Sequence, residues 1–515
     1  MGFDFRVFGD GRLDESFVEW LVDDQWIEIG KQLGRLWEYY QNNMYDIASA
    51  GVSVGSESSR NYLQGQEFGL PSRITGVSYS PSGGISSGQS IDDISRKEVV
   101  IENDITWRIN AMVDFLFGKG VNFVSKALEE SKRKEIEKII KCVFAANGGA
   151  GFFQDMAVLG SVYGFVDCLV RPSEEVLIKM RRNGASVNSD LKSTTSSPPS
   201  SVLHSVLQLA STIGLDLIEA PRALPVLDED DYRKIDFYIQ HFYQQKNSVE
   251  SENSFLSRIL SGSGSGGGRK RCNITEVIGA DAWQRYENGD LIAEGENPLE
   301  VIPVVHVQNV AQPYYYEGLS DVEQLIGLQD ELNTRLSDRA SRITFQAFKM
   351  YLAKGIEGSS DKTISPGRMW YTDNPEASIE QFGGDSSTPS EDMHIAEIRE
   401  AMDKVSGVTP VVAGVLKNKL GNLTSGVALK MTFMGMLSKT ARKQHTYGEG
   451  LRQIIKLVLA TLDKCGVYAT SPEEREVEVV FPNPLPEDAM EQLQEAQIKK
   501  ELGVSQEQIL SELGY

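Results

Sequence analysis

A chain of 515 residues is too long for one ordinary core, because domains cluster near about 100 to 200 residues, so several parts are expected. Hydrophobic residues at 40%, aromatics at 9% and charged residues at 24% are ordinary globular usage, which excludes wholesale disorder and fibrous repeats. With 51 Lys and Arg against 73 Asp and Glu the formal charge is −22, which excludes a protein that grips phosphate backbones through a globally basic surface.

The N-terminal MGFDFRVFGDGRLDE has neither a basic n-region nor an apolar h-region, and no stretch approaches 18 uninterrupted apolar residues. The chain reads as soluble and unexported, with no membrane contact. Helical periodicity then runs through Phe17 to Met44, Asn103 to Phe117 and Ser131 to Phe144. Strand-like runs follow at Ser161 to Arg171, Lys234 to Phe242, Glu276 to Tyr286 and Leu299 to Gln308, and Asn288-Gly289 signals a tight hairpin. Three stretches rich in Gly, Ser or Pro, near 50–95, 181–205 and 248–271, cannot bury enough apolar area to offset chain entropy and read as flexible insertions. The first half is therefore an α+β domain with hairpins.

The second half is written mainly in helices with explicit ends. Ser320-Asp321-Val322-Glu323 has the form of a capping box, and Leu325, Leu328, Leu332, Leu336 and Ile343 carry a helix to about Phe348. That is about 28 residues, or roughly 42 Å at the α-helical rise. Thr388-Pro389-Ser390-Glu391 starts another helix, whose apolar positions Ile395, Ile398, Met402 and Val405 end at Gly407. Between them, Lys349 to Ser387 holds the strand-like Arg368 to Thr372 and reads as a small β module. Ser425 to Lys464 is the longest helical pattern, with Gly448 and Gly450 as expected kink points. Glu476 to Phe481 alternates like a strand, and 487–513 closes the sequence with short acidic helices.

Catalytic signatures are not found. The four cysteines lack CxxC spacing, and the five histidines have no HExxH, HxH or local His/Asp cluster, so neither a metal site nor a cofactor is expected. Gly30-Lys31 and Gly118-Lys119 are not followed by Ser or Thr, which removes a P-loop, and the GSGSGG run at Gly262 to Gly267 sits in low-complexity sequence instead of a strand–helix turn. What stands out is segregated charge. Ser425 to Lys464 has seven basic residues, Lys443 among them, against two acids, while Ser471 to Tyr515 has eleven acids against three bases. Gly407 to Thr424 carries two lysines, Lys417 and Lys419, and no acid, as a loop offered to a polyanion would.

In order along the chain, Ile302-Pro303-Val304-Val305, Gly318-Leu319-Ser320-Asp321-Val322-Glu323, Leu328-Gln329-Asp330-Glu331-Leu332-Asn333, Ser337-Asp338, Gly407-Val408-Thr409-Pro410 and Ser425-Gly426-Val427-Ala428-Leu429-Lys430 form a pattern over roughly 130 residues. That pattern resembles the portal proteins of tailed bacteriophages, the long-tailed type in particular. The resemblance implies a ring, usually of twelve subunits, at one capsid vertex. Double-stranded DNA would be packaged through it, retained and ejected without sequence specificity. It also implies a platform for the terminase large subunit and a head–tail adaptor, contacts with major capsid and scaffold proteins, and a place in the virion after assembly in the host cytoplasm.

The portal parts then map as wing 1–318, first stem helix 319–348, clip 349–387, second stem helix 388–407, tunnel loop 408–424, long wing helix and strand 425–485, and short crown 486–515. Lys417, Asn418, Lys419 and Asn422 would face DNA, since lysine and asparagine contact phosphates without reading bases. Asp361, Lys362, Arg368 and Trp370 of the clip would dock terminase and adaptor. No catalytic residue is expected. The alternatives are another oligomeric helical virion or scaffold protein without a DNA channel, and a nucleotide-using or nuclease domain in the first half.

Overall fold

The computed structural model describes residues 3–9, 12–42, 78–79, 85–86, 100–178, 199–247, 269–347, 350–354, 374–382, 389–410, 431–485 and 496–503. The fold is α+β, and the chain divides into two compact units. One is Met1–Leu33, Ile109–Ser320 and Leu423–Tyr515; the other is Gly34–Arg108 and Asp321–Asn422.

The larger unit holds a five-stranded antiparallel meander, with Ala223–Leu227, Ile235–Asn247, Arg269–Ile278, Ala282–Glu287 and Asp290–Glu296 adjacent in chain order. Asn288 and Gly289 both take positive φ (53° and 92°) between the paired Glu287 and Asp290, so the Asn-Gly signal forms the two-residue hairpin it predicts. The predicted strand at Glu276 to Tyr286 is in fact two strands, turning between Ile278 and Ala282.

One face of this sheet is covered by the N-terminus. Phe3, Phe5, Phe8, Val18, Leu21 and Val22 cluster with Leu224, Phe237, Ile239, Val277 and Tyr286. The covering helix runs as Glu15–Trp20, a wide π turn at Leu21–Gln25, and Trp26–Gln41. Trp26 packs on His241 and Tyr243, with ring centroids at 4.6 and 5.2 Å. Burial lowers the His241 pKa to about 4, only partly opposed by Asp23 and by a hydrogen bond with Asn273.

A three-stranded sheet places Phe165–Arg171 between Val304–Gln308 and Gly214–Glu219. Its central strand is buried from Phe165 to Val170 beneath helix Ala150–Tyr163 and the long helix Met434–Lys464. The helix Ala150–Tyr163 is absent from the sequence reading because eight of its 14 residues are buried, leaving no polar stripe to reveal a 3.6-residue period. Helix Pro199–Ala210 likewise overlaps the stretch 181–205 that reads as a flexible insertion. Strand Val477–Val480 pairs with Asn122–Ser125, whose Phe123 joins a ring cluster with Phe144 and Phe153.

The long helix is continuous through Gly448 and Gly450, the two positions read as kink points. Both glycines are buried and permit close approach: a Cβ on Gly450 would lie 2.4 Å from Val307 Cγ2, and one on Gly448 would lie 3.2 Å from Phe481. Val307 is β-branched and buried, so it has little rotamer freedom with which to yield. Gly450→Ala is therefore expected to lower unfolding free energy by about 1–2 kcal/mol despite alanine's helix propensity. Val307→Ala should recover part of that loss in the double variant, measured by urea denaturation.

In the smaller unit, helices Ile326–Ala347 and Pro389–Ser406 pack together, and strands Met350–Lys354 and Ser378–Phe382 pair antiparallel between them in sequence. The second helix starts at its predicted proline and ends at Gly407, which has φ of 72°. The first is shorter than expected, because a 3₁₀ turn at Glu323–Leu325 precedes it.

The buried neutral His241 has a pH consequence. Its folded pKa is below its unfolded value, so between about pH 6.5 and 4 the unfolded chain binds the extra proton and stability falls as pH falls. His241→Gln should flatten that part of the stability profile relative to wild type, read from urea midpoints at pH 7.5 and 5.

Candidate functional site

Neither predicted residue cluster is among the described residues. Lys417, Asn418, Lys419 and Asn422 fall within 411–430, and Asp361, Lys362, Arg368 and Trp370 fall within 355–373. What the structure describes is the frame at the ends of those segments.

In the smaller unit the frame is a polar ladder. Gln329, Asn333 and Ser337 recur every four residues on one helix, a rise of about 6 Å per step. They accept hydrogen bonds from the backbone N–H groups of Asp104, Glu102 and Val100, at 3.1, 3.0 and 3.0 Å. Those donors are spaced every two residues, about 6.6 Å in extended chain, so helix and segment run in step. The match explains why these polar side chains are buried. Tyr39 completes it by donating to Asp330 Oδ1 at 2.8 Å, and burial, followed by the nearby Asp330 charge, raises its pKa.

The two helices are also tied by Arg339 to Asp392 at 2.7 Å and Arg342 to Glu391 at 2.5 Å. Those ties lie where the chain leaves toward the β module, holding the helix ends that flank 350–382.

At the other end of the second helix lies Arg108, only 2% exposed. Its guanidinium donates to Ser406 Oγ at 3.1 Å and to the Val408 carbonyl at 2.9 Å, and it pairs with Asp403 at 2.7 Å and Asp104 at 3.1 Å. Trp107 lies beneath it, 4.6 Å from the ring centroid. One planar cation thus fixes the helix C-terminus and the first residues leading into segment 411–430, a task that suits the forked geometry of arginine. Sequence pattern gave no sign of this, since Arg108 and Asp403 are far apart in the chain.

In the larger unit, Lys443 is buried and donates to Ser161 Oγ at 2.8 Å, so it is not part of the solvent-facing charge counted on the long helix. Beside it, Asn309 accepts from Ser161 and from the Tyr447 hydroxyl, and its amide donates to the Leu319 carbonyl. This network seats the loop before Ser320.

Asp167, fully buried, accepts from Tyr238 at 2.8 Å, from Tyr316 at 3.2 Å and from His306 Nδ1 at 2.7 Å. Burial first, and Asp167 second, hold both tyrosine pKa values well above the ordinary range. Such a His/Asp pair was invisible locally because its members belong to neighbouring strands. His306 Nε2 meets the Tyr316 carbonyl at 2.8 Å, so both ring nitrogens are engaged within the fold. A groove of roughly 1360 Å³ opens nearby, lined by Tyr232, Val301, Tyr314, Tyr315, His445 and Glu449 among others. Among the described residues no group of His, Cys, Asp and Glu is placed to hold a metal, and no helix is long and apolar enough to cross a membrane.

Among the described residues, the Arg108 cluster and the polar ladder position backbone. Arg108→Ala would leave Asp104 and Asp403 facing one another without their cation, and a loss of about 3–5 kcal/mol is expected, measured by urea unfolding. Arg108→Lys should recover little of it, because an ammonium cannot reach four acceptors at once.

Comparison with known proteins adds the following. A family model described as "Phage portal protein, SPP1 Gp6-like" matches residues 108–514. No curated protein matches. Two solved structures are similar in part. One is "Neck of empty GTA particle computed with C6 symmetry", at 11% identity and TM-score 0.42, covering 78% of this chain and 87% of that one. The other is "Virion of native gene transfer agent (GTA) particle", at 12% identity and TM-score 0.39, covering 80% and 89%.

Proposed function

The chain belongs to the phage portal protein family, a family of virion structural proteins, and we propose that it forms a closed ring at one capsid vertex through which double-stranded DNA is packaged, retained and ejected. The observation that carries this reading is the family match over residues 108–514, which spans both units. The ring, of twelve subunits, presents the clip 349–387 to the terminase large subunit and the head–tail adaptor, and contacts major capsid and scaffold proteins.

In the smaller unit the helix pair Ile326–Ala347 and Pro389–Ser406 serves as the stem. The Arg108 clamp supports this assignment, since a loop beside sliding DNA needs one firm root. Lys417 and Lys419, with Asn418 and Asn422, make weak phosphate contacts in an acidic channel, so DNA is checked without being gripped. The strands Met350–Lys354 and Ser378–Phe382 bracket the docking residues Asp361, Lys362, Arg368 and Trp370.

Purified protein should appear on negative-stain grids as rings with a central hole, and light scattering should give a multiple of the chain mass. A single-chain mass at micromolar concentration would overturn the reading. Given rings, Lys417→Glu with Lys419→Glu should leave assembly intact and increase DNA leakage from filled heads across a salt series. Unchanged retention at every ionic strength would remove these lysines from the channel.

A further inference from the structure

The groove beside His306 has two marks of a binding surface. The first is strained backbone. Among the described residues four that are not glycine take positive φ; two are asparagines, which tolerate it, and the others are Glu300 at 55° and Tyr314 at 69°. Both of these line the groove, and strain of this kind gathers where a ligand is held. The second is bare apolar surface: Tyr314 is 85% exposed, and Tyr315 and Val301, also in the lining, are exposed too.

The charge of the groove is nearly matched within the chain. Its carboxylates all have cations: Asp236 pairs with Lys234 at 3.4 Å, Asp281 with Arg12 at 3.1 Å, Glu300 with Lys464 at 3.1 Å, and Glu449 with Arg452. Arg233 is the exception. It is exposed, donates to the Tyr232 hydroxyl at 3.1 Å, and has no ion-pair partner among the described residues. Tyrosine rings around one unmatched cation suit an apolar occupant that carries a carboxylate.

The chain displays such an element at the other end of the same sheet. The hairpin of Ala282–Glu287 and Asp290–Glu296 turns at Asn288-Gly289, and the register shift between Leu291 and Ala293 makes Ile292 a bulged residue. Ile292 is 60% exposed, and Leu291 next to it is exposed as well. Asp290 is exposed and has no ion-pair partner among the described residues. The Asn288 N–H donates to the Asn273 carbonyl at 2.8 Å, and the Asn288 side chain accepts from the Asn273 N–H at 3.0 Å. The tip is thus fixed before any contact forms.

Strand geometry keeps hairpin tip and groove apart in one chain. Ala280 and Asp281 line the groove just before strand Ala282–Glu287 begins, and the hairpin turn follows where that strand ends, about 20 Å farther on at the extended rise. Held by its pairing with Arg269–Ile278, the hairpin cannot turn back to reach Arg233. A knob at one end of a sheet and a socket at the other make a head-to-tail contact, the kind that closes a ring.

We propose that the hairpin tip Asp290 to Ile292 of one subunit docks in the tyrosine-lined groove of a second copy, with Ile292 among Tyr314, Tyr315 and Val301 and Asp290 on Arg233. This rests on the ring reading given above.

The test uses the full-length chain. Ile292→Asp should convert rings to single chains, with at least a tenfold loss of assembly, and should leave the circular dichroism spectrum and urea midpoint unchanged because the side chain is exposed. Asp290→Arg and Arg233→Asp should each weaken assembly at low salt, and the two in one chain should restore it. Rings that persist in Ile292→Asp, or a double charge variant no better than either single one, would overturn the proposal. A lowered urea midpoint for Ile292→Asp would do so too, by showing that Ile292 packs within its own chain. A wild type without rings would count instead against the portal ring. The contact is then read directly by mixing chains carrying Ile292→Cys with chains carrying Tyr314→Cys and adding a short bis-maleimide, with Cys142→Ser in both because the other three cysteines are buried. A linked pair formed only in the mixture supports the docking. No linked pair, or a link inside one chain that carries both new cysteines, overturns it.

Discussion

The long helix Met434–Lys464 lies within side-chain distance of its neighbours' backbones, and the larger unit depends on that closeness. Gly450 admits Val307, Gly448 admits Phe481, and Gly160 on the adjacent helix leaves room for the Tyr447 hydroxyl. With the backbones this near, buried apolar residues from Leu451 to Leu462 line the long helix, and the polar groups of Lys443 and Asn309 find side-chain partners. One helix therefore sets the position of the sheet strand Val304–Gln308 and of the loop that follows it.

Element type was legible wherever burial was one-sided. The helix Pro389–Ser406 starts at its proline and stops before a glycine of positive φ, both where the pattern put them. The Asn288-Gly289 hairpin was equally local, since its backbone conformation is set by those two residues. Ala150–Tyr163 escaped because burial on most sides erases periodicity, and Pro199–Ala210 because its serines and proline look like linker. Gly448 and Gly450 show the limit of reading glycine alone. The sequence reveals missing side chains, but only packing tells whether the space serves bending or contact.

The frame of the site was less legible, for a geometric reason. Gln329, Asn333 and Ser337 could be quoted as a motif, yet their purpose needs the extended segment Val100 to Asp104 beside them. Arg108 and Asp403, or Asp167 and His306, meet only once the chain has folded. Charge segregation was visible, but it overcounted the exposed bases: Lys443 is buried against Ser161 and offers no ammonium at the surface.

Strand Asn122–Ser125 takes its partner Val477–Val480 from the far end of the chain, and this fixes the order in which the larger unit can be completed during synthesis. Phe117, Phe123, Phe144 and Phe153 leave the ribosome early, whereas Tyr447 and Phe481, which cover Phe117, are made near the end. At ordinary translation speeds the interval is on the order of tens of seconds. Throughout it the nascent chain carries an uncovered aromatic face and an unpaired strand edge. Premature termination before residue 434 would therefore yield not a smaller folded protein but a chain with its core open to solvent and to chaperones.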